Sequence, residues 1–110
     1  MNIREEKSND VVVCTPEGEI NIHTSVELRK VFEKFITHSE KKLLVDFSNV
    51  SYIDSSGLAT LIEMLQRLKR IGGTLRLSGM VDKVKNVFEI TKVHKLFAIF
   101  DSRQEALKGF

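Results

Sequence analysis

The chain has 110 residues, enough for one domain around one core. Hydrophobic residues make up 42% and charged residues 29%, the balance of an ordinary globular protein, and no apolar run is long enough to span a bilayer. The formal net charge is +2, from 17 basic and 15 acidic residues that are interspersed, which argues against a nucleic-acid partner.

The first ten residues, MNIREEKSND, are polar and lack the apolar core of a signal peptide. The expected location is therefore the cytoplasm, with no membrane partner. Cys14 is the single cysteine and has no internal disulfide partner. It sits in the run VVVC and reads as a small buried hydrophobe.

Met1 to Lys7 reads as an edge strand with only Ile3 facing inward. Ser8-Asn9-Asp10 supplies turn chemistry. Val11 to Thr15 is β-branched and apolar, a strand that forms an antiparallel hairpin with the first. Pro16-Glu17-Gly18 makes a turn. Thr24-Ser25-Val26-Glu27 has capping-box spacing, with Thr24 as cap and Glu27 reaching back. Leu28, Val31, Phe32, Phe35 and Ile36 then follow as one apolar helical stripe ending near His38.

Leu43 to Phe47 is a strand, and Ser48 to Asp54 a loop. The next helix carries Leu58, Leu61, Ile62, Leu65 and Leu68 on one face, with Arg67, Lys69 and Arg70 suiting the dipole of its last turn. Gly72-Gly73 is a left-handed stop. Thr74 to Ser78 alternates, with Leu75 and Leu77 inward and Arg76 outward. Asp82 to Ile90 is a third helix, Leu96 to Phe100 a final strand, and Ser102 to Glu105 a cap opening a terminal helix through Leu107.

The order β-β-α-β-α-β-α-β-α predicts one α/β domain over residues 1–110. Its sheet is mixed and mostly parallel, and right-handed crossovers place the helices mainly on one face.

Several enzyme signatures are absent: no phosphate-binding GxxxxGK[ST], no GxGxxG and no GxSxG. His23, His38 and His94 have no metal-ligand spacing, so neither a metal nor a cofactor is expected. Asp46 and Asp54 are candidates for an acid/base pair, or simply a strand residue and a helix cap. The sharper element is Asp54-Ser55-Ser56-Gly57. Asp54 or Ser55 can cap the helix by accepting backbone N–H bonds. Only one hydroxyl is needed for that, and a helix start also suits an anion, including a phosphate on a serine.

The run DFSNVSYIDSSGLATLIEMLQRLKRIGG resembles the centre of the STAS family, specifically the bacterial anti-sigma factor antagonists. Gly18-Glu19-Ile20, with His23-Thr24 and a helix after it, is similar to the family's G-E-[IL]-D segment. Val84 to Phe88 and Thr91 to Phe97 are similar to its third helix and last strand. The resemblance covers essentially the whole chain.

It implies a small α/β STAS-like domain and a non-enzymatic antagonist. Such a protein binds a GHKL-type serine kinase that is also the anti-sigma factor, and so frees the sigma factor. The kinase phosphorylates the serine after the aspartate, here Ser55 with Ser56 as the alternative, and a PP2C-type phosphatase reverses the mark. The helix start, with its free N–H groups, is expected to hold the phosphate without refolding.

The implied partner surface comprises Asn21, His23, Thr24, Asp54, Ser55, Ser56 and Gly57, extended along an exposed helix face by Thr60, Glu63 and Arg67. Asn21 stands where the family pattern has Asp. A monomer or weak homodimer is expected. Two rival readings are a soluble STAS regulatory subunit of a transport or other signalling complex, and a small hydrolase with Ser55 as nucleophile.

Overall fold

A computed structural model describes residues 1–110. The chain runs β1 (Ile3–Ser8), β2 (Val11–Pro16), β3 (Gly18–Ile20), α1 (Thr24–Thr37), β4 (Lys42–Asp46), β5 (Val50–Ile53), α2 (Ser55–Arg70), β6 (Thr74–Ser78), α3 (Asp82–Ile90), a 3₁₀ turn (Val93–Leu96), β7 (Ala98–Phe100) and α4 (Arg103–Leu107). The main sheet has the order β1-β2-β4-β6-β7. β1 is antiparallel to β2, and all other pairs are parallel. The order never reverses, so successive crossovers of one hand lay α1, α2 and α3 on one side.

This is the α/β fold expected, with two strands added. The supposed turn at Pro16-Glu17-Gly18 and the supposed loop Ser48 to Asp54 contain β3 and β5, which pair in parallel as a separate two-stranded sheet. One residue parts β2 from β3, and three part β4 from β5. The β2–β4 pair is thus interrupted and resumes as β3–β5, past the ends of β6 and β7. Gly18 has φ +92, a conformation open to glycine, and the pairing shifts register there. The expected strand Leu96 to Phe100 shortens to β7, because Val93–Leu96 closes a 3₁₀ turn first.

The front layer holds the main core. Leu28, Phe32 and Phe35 from α1 and Leu58, Leu61, Met64 and Leu68 from α2 meet Cys14, Leu43, Val45, Leu75 and Leu77 of the sheet. Each such side chain contributes about 1.5–3 kcal/mol when fully buried. Phe88 of α3 packs edge-to-face on Phe47 and on Phe97, with ring centroids 6.0 and 6.1 Å apart. The back of the sheet carries a smaller cluster, Val11, Val13 and Leu44 beneath Ala106 of α4. That second layer explains why β2 and most of β4 are buried on both sides rather than alternating. Burial also pushes the Cys14 thiol up to about 12, as expected of an inert core cysteine.

Candidate functional site

β3 and β5 carry the chain to the starts of α1 and α2, and the two starts are tied together. The Asp54 N–H donates to the Ile20 carbonyl at 3.0 Å, fixing the end of β5 against β3. Asp54 then turns extended (φ −106, ψ −174) and caps α2. Its Oδ1 accepts from the Ser56 N–H at 3.0 Å, the Gly57 N–H at 3.2 Å and the Ser56 hydroxyl at 2.6 Å. The Ser56 hydroxyl, opposed by burial and joined by the N–H groups of Gly57, Ser56 and Ile22, holds the Asp54 carboxyl below the usual carboxylate range.

Ser55 and Ser56 therefore differ. Ser56 is half-buried and bonded to Asp54, whereas Ser55 is exposed and its hydroxyl has no hydrogen-bond partner. The cap is Asp54 itself, which leaves the Ser55 hydroxyl free. Gly57 is buried because nothing larger fits. A Cβ there would lie 2.6 Å from Ile53 Cγ1 and 2.7 Å from Ile20 Cγ2.

The start of α1 departs from the expected capping box. Asn21, not Thr24, is the capping side chain. Asn21 Oδ1 accepts from the N–H groups of His23 at 2.9 Å and Thr24 at 3.1 Å, and the Asn21 carbonyl accepts from Ser25 at 2.8 Å. Thr24 lies inside the first turn, where its hydroxyl donates to the Glu19 carbonyl at 2.7 Å and accepts from the Asn21 N–H at 2.8 Å. Glu27 faces the Met1 amine at 3.2 Å instead of reaching back. Amide and carboxylate are equal acceptors here, so Asn21 reproduces the cap that Asp would make, without the charge.

Thr60 is a second correction. It was expected on an exposed face, but it is 2% exposed because α1 covers it. Its hydroxyl donates to the Ser56 carbonyl at 2.9 Å and accepts from Arg29 at 3.3 Å. Glu63 is exposed and lies 3.7 Å from Arg29. Arg67 is only partly exposed and forks onto Glu33 of α1. These pairs lash α1 to α2 below the two helix starts. His23 is exposed beside Asn21.

Two apolar residues went unnoticed in the sequence. Ile22 is 66% and Val26 46% exposed, one turn apart at the start of α1. Both lie off the stripe of Leu28, Phe32 and Phe35, and that was the available signal. Of the other candidates, Asp46 is a buried strand residue paired with Arg103, far in role from the Asp54 cap. His38 and His94 face the carbonyls of Lys34 and Phe88, and no histidine hydrogen-bonds Ser55. A hollow of about 420 Å³ beside α3, lined by Met80, Lys85, Phe97 and Asp101 among others, contains none of the predicted site residues.

The STAS domain model matches residues 2–106, so the chain belongs to the STAS domain family. A protein of Thermotoga neapolitana, provisionally named an anti-sigma factor antagonist, is 32% identical over 100 residues, covering 90% of this chain and 88% of its own. The anti-sigma-B factor antagonist of Staphylococcus aureus is 30% identical over 82 residues, covering 74% and 76%. The crystal structure of a Thermotoga maritima protein with the same provisional name superposes with a TM-score of 0.91 at 28% identity, covering 96% of this chain and 92% of that one. No helix here is long and apolar enough to cross a membrane.

Proposed function

We propose that this chain is a non-enzymatic anti-sigma factor antagonist of the cytoplasm, switched by phosphorylation at Ser55. It binds a GHKL-type anti-sigma factor that is also its serine kinase, and this binding releases the sigma factor. A PP2C-type phosphatase restores the active form. The observation that carries the reading is the free hydroxyl of Ser55 on an exposed turn, next to a Ser56 hydroxyl already committed to Asp54. A kinase can reach the first without breaking a bond in the fold.

The partner face then comprises Asn21, His23, Asp54, Ser55, Ser56 and Glu63, with Ile22 and Val26 as its apolar part. Gly57 contributes by letting the turn sit close to Ile20 and Ile53. Thr60 and Arg67 act behind that face, holding α1 against α2. A monomer or weak homodimer is the expected unit.

The physics of the switch differs from the simplest expectation. Asp54 already accepts the N–H groups of Ser56 and Gly57, so the helix start has little left for a phosphate. Phosphate adds about −1.5 to −2 charges beside that carboxylate. It stands outward, toward the partner, where an uncompensated charge costs a few kcal/mol, or several hundredfold in affinity. The test is incubation with a cognate GHKL kinase and ATP, followed by peptide mapping and a binding assay. One phosphate on Ser55, lost in Ser55→Ala and abolishing kinase binding, is the expected result. Phosphate on Ser56, or tight binding that survives phosphorylation, would overturn it.

A further inference from the structure

We infer that α4 and the residues after it form a releasable strap over the back of the sheet, clamped by two arginines rather than by its own apolar burial. α4 has five residues, too few to persist as a helix unsupported. It buries Ala106 alone. Leu107 and Phe110 pack only partly against the strip of Val11, Val13 and Leu44 beneath.

Arg76 reaches out of β6 and donates to the carbonyls of Ala106 at 2.9 Å, Lys108 at 2.8 Å and Gly109 at 3.0 Å. Its guanidinium also lies over the Phe100 and Phe110 rings, 5.3 and 4.5 Å from their centroids. Arg103 reaches back from α4 and donates to Asp46 at 2.9 Å, to the Thr15 hydroxyl at 3.0 Å and to Glu6 at 3.3 Å. The planar fork of each arginine ties several groups at once, which a lysine does not do.

What lies under the strap makes opening cheap. Thr15, Asp46 and Ser78 are polar residues buried at the ends of β2, β4 and β6. The Ser78 hydroxyl has no protein hydrogen-bond partner, and it sits in register with Asp46. Water reaching this row on opening would solvate three polar side chains, which offsets part of the bonds that opening breaks. The front core has no such row. The strap therefore opens as a unit of its own, leaving α1, α2 and α3 in place. Its release uncovers Val11, Val13 and Leu44 on the face opposite the Ser55 side.

Hydrogen exchange on the full chain tests it. The amides of Ala106 and Lys108, which bond to the Ser102 and Glu105 carbonyls, are expected to exchange at least about tenfold faster than the slowest amides of α2 and β4. Arg76→Gln should speed them about a further tenfold while α2 and β4 stay unchanged, with Arg76→Lys intermediate. A second readout is thiol labelling of Leu44→Cys, with native Cys14 on the front face as the internal control. Labelling at position 44 ahead of Cys14 is expected. Exchange of α4 in step with α2 and β4, or no response to Arg76→Gln, would overturn the strap.

Discussion

The starts of α1 and α2 are two versions of one device. Each is capped by an Asx side chain that accepts two backbone N–H groups, Asn21 in one and Asp54 in the other. Each has a hydroxyl folded back onto the turn, Thr24 and Ser56. They differ in charge and in what they leave outside. The neutral cap leaves an apolar pair, Ile22 and Val26, while the charged cap leaves a bare hydroxyl on Ser55. Capping is thus a shared structural duty, and what differs between the two starts is the chemistry each leaves exposed.

The largest expected effect comes from the packing that lets the two starts approach. Gly57→Val drives a side chain into Ile20 and Ile53 and should cost about 3 kcal/mol in urea unfolding. A tolerated valine would mean the two starts are not tightly apposed. Next is the charged cap: Asp54→Ala should lose about 1–2 kcal/mol. Its pH signature is distinctive. The folded-state pKa of Asp54 lies below its unfolded value, so its contribution is present above the unfolded pKa. That contribution fades as pH falls through the folded pKa. Asp54→Asn should flatten this acid limb, and an unchanged limb would show that the hydrogen bonds do not favour the carboxylate.

The neutral cap should respond more mildly. Asn21→Ala is expected to cost about 1 kcal/mol, whereas Asn21→Asp should change thermal stability by less than about 0.5 kcal/mol, since the acceptor is kept. A large loss in Asn21→Asp would reveal repulsion between the two caps. The smallest effects separate the serines. Ser56→Ala should cost about 0.5–1 kcal/mol by removing a hydrogen bond to a carboxylate, and Ser55→Ala almost nothing. Equal losses would erase the distinction between them.

Much of this architecture was legible in the amino-acid pattern. The stripe of Leu28, Phe32 and Phe35, the limits of α3 and the stop at Gly72 follow from local periodicity and backbone chemistry. What escaped depends on distant partners. β3 and β5 are three and four residues long, and each is a strand only because the other lies beside it. Thr24-Ser25-Val26-Glu27 has the right spacing for a capping box, but Asn21 competes three residues earlier and wins with an acceptor already in place. Thr60 lies one turn before Met64 at the edge of the buried face of α2, and its polar side chain masks that position as one α1 covers. The turn at Asp54 was recognisable as a motif, yet which serine stays free is decided by one 2.6 Å bond.

The resumption of the β2–β4 pair as β3–β5 has a consequence for how such a molecule can diversify. Ser55 stands at the end of a narrow pier, built from two short strands and anchored by the buried side chains of Ile20 and Ile53. β6 and β7 pair with neither of its strands, and α3 flanks it, with Lys83 lying over the Tyr52 ring of β5. Substitutions at the tip of the pier leave the pairing of β4, β6 and β7 untouched, because β3 and β5 pair only with each other.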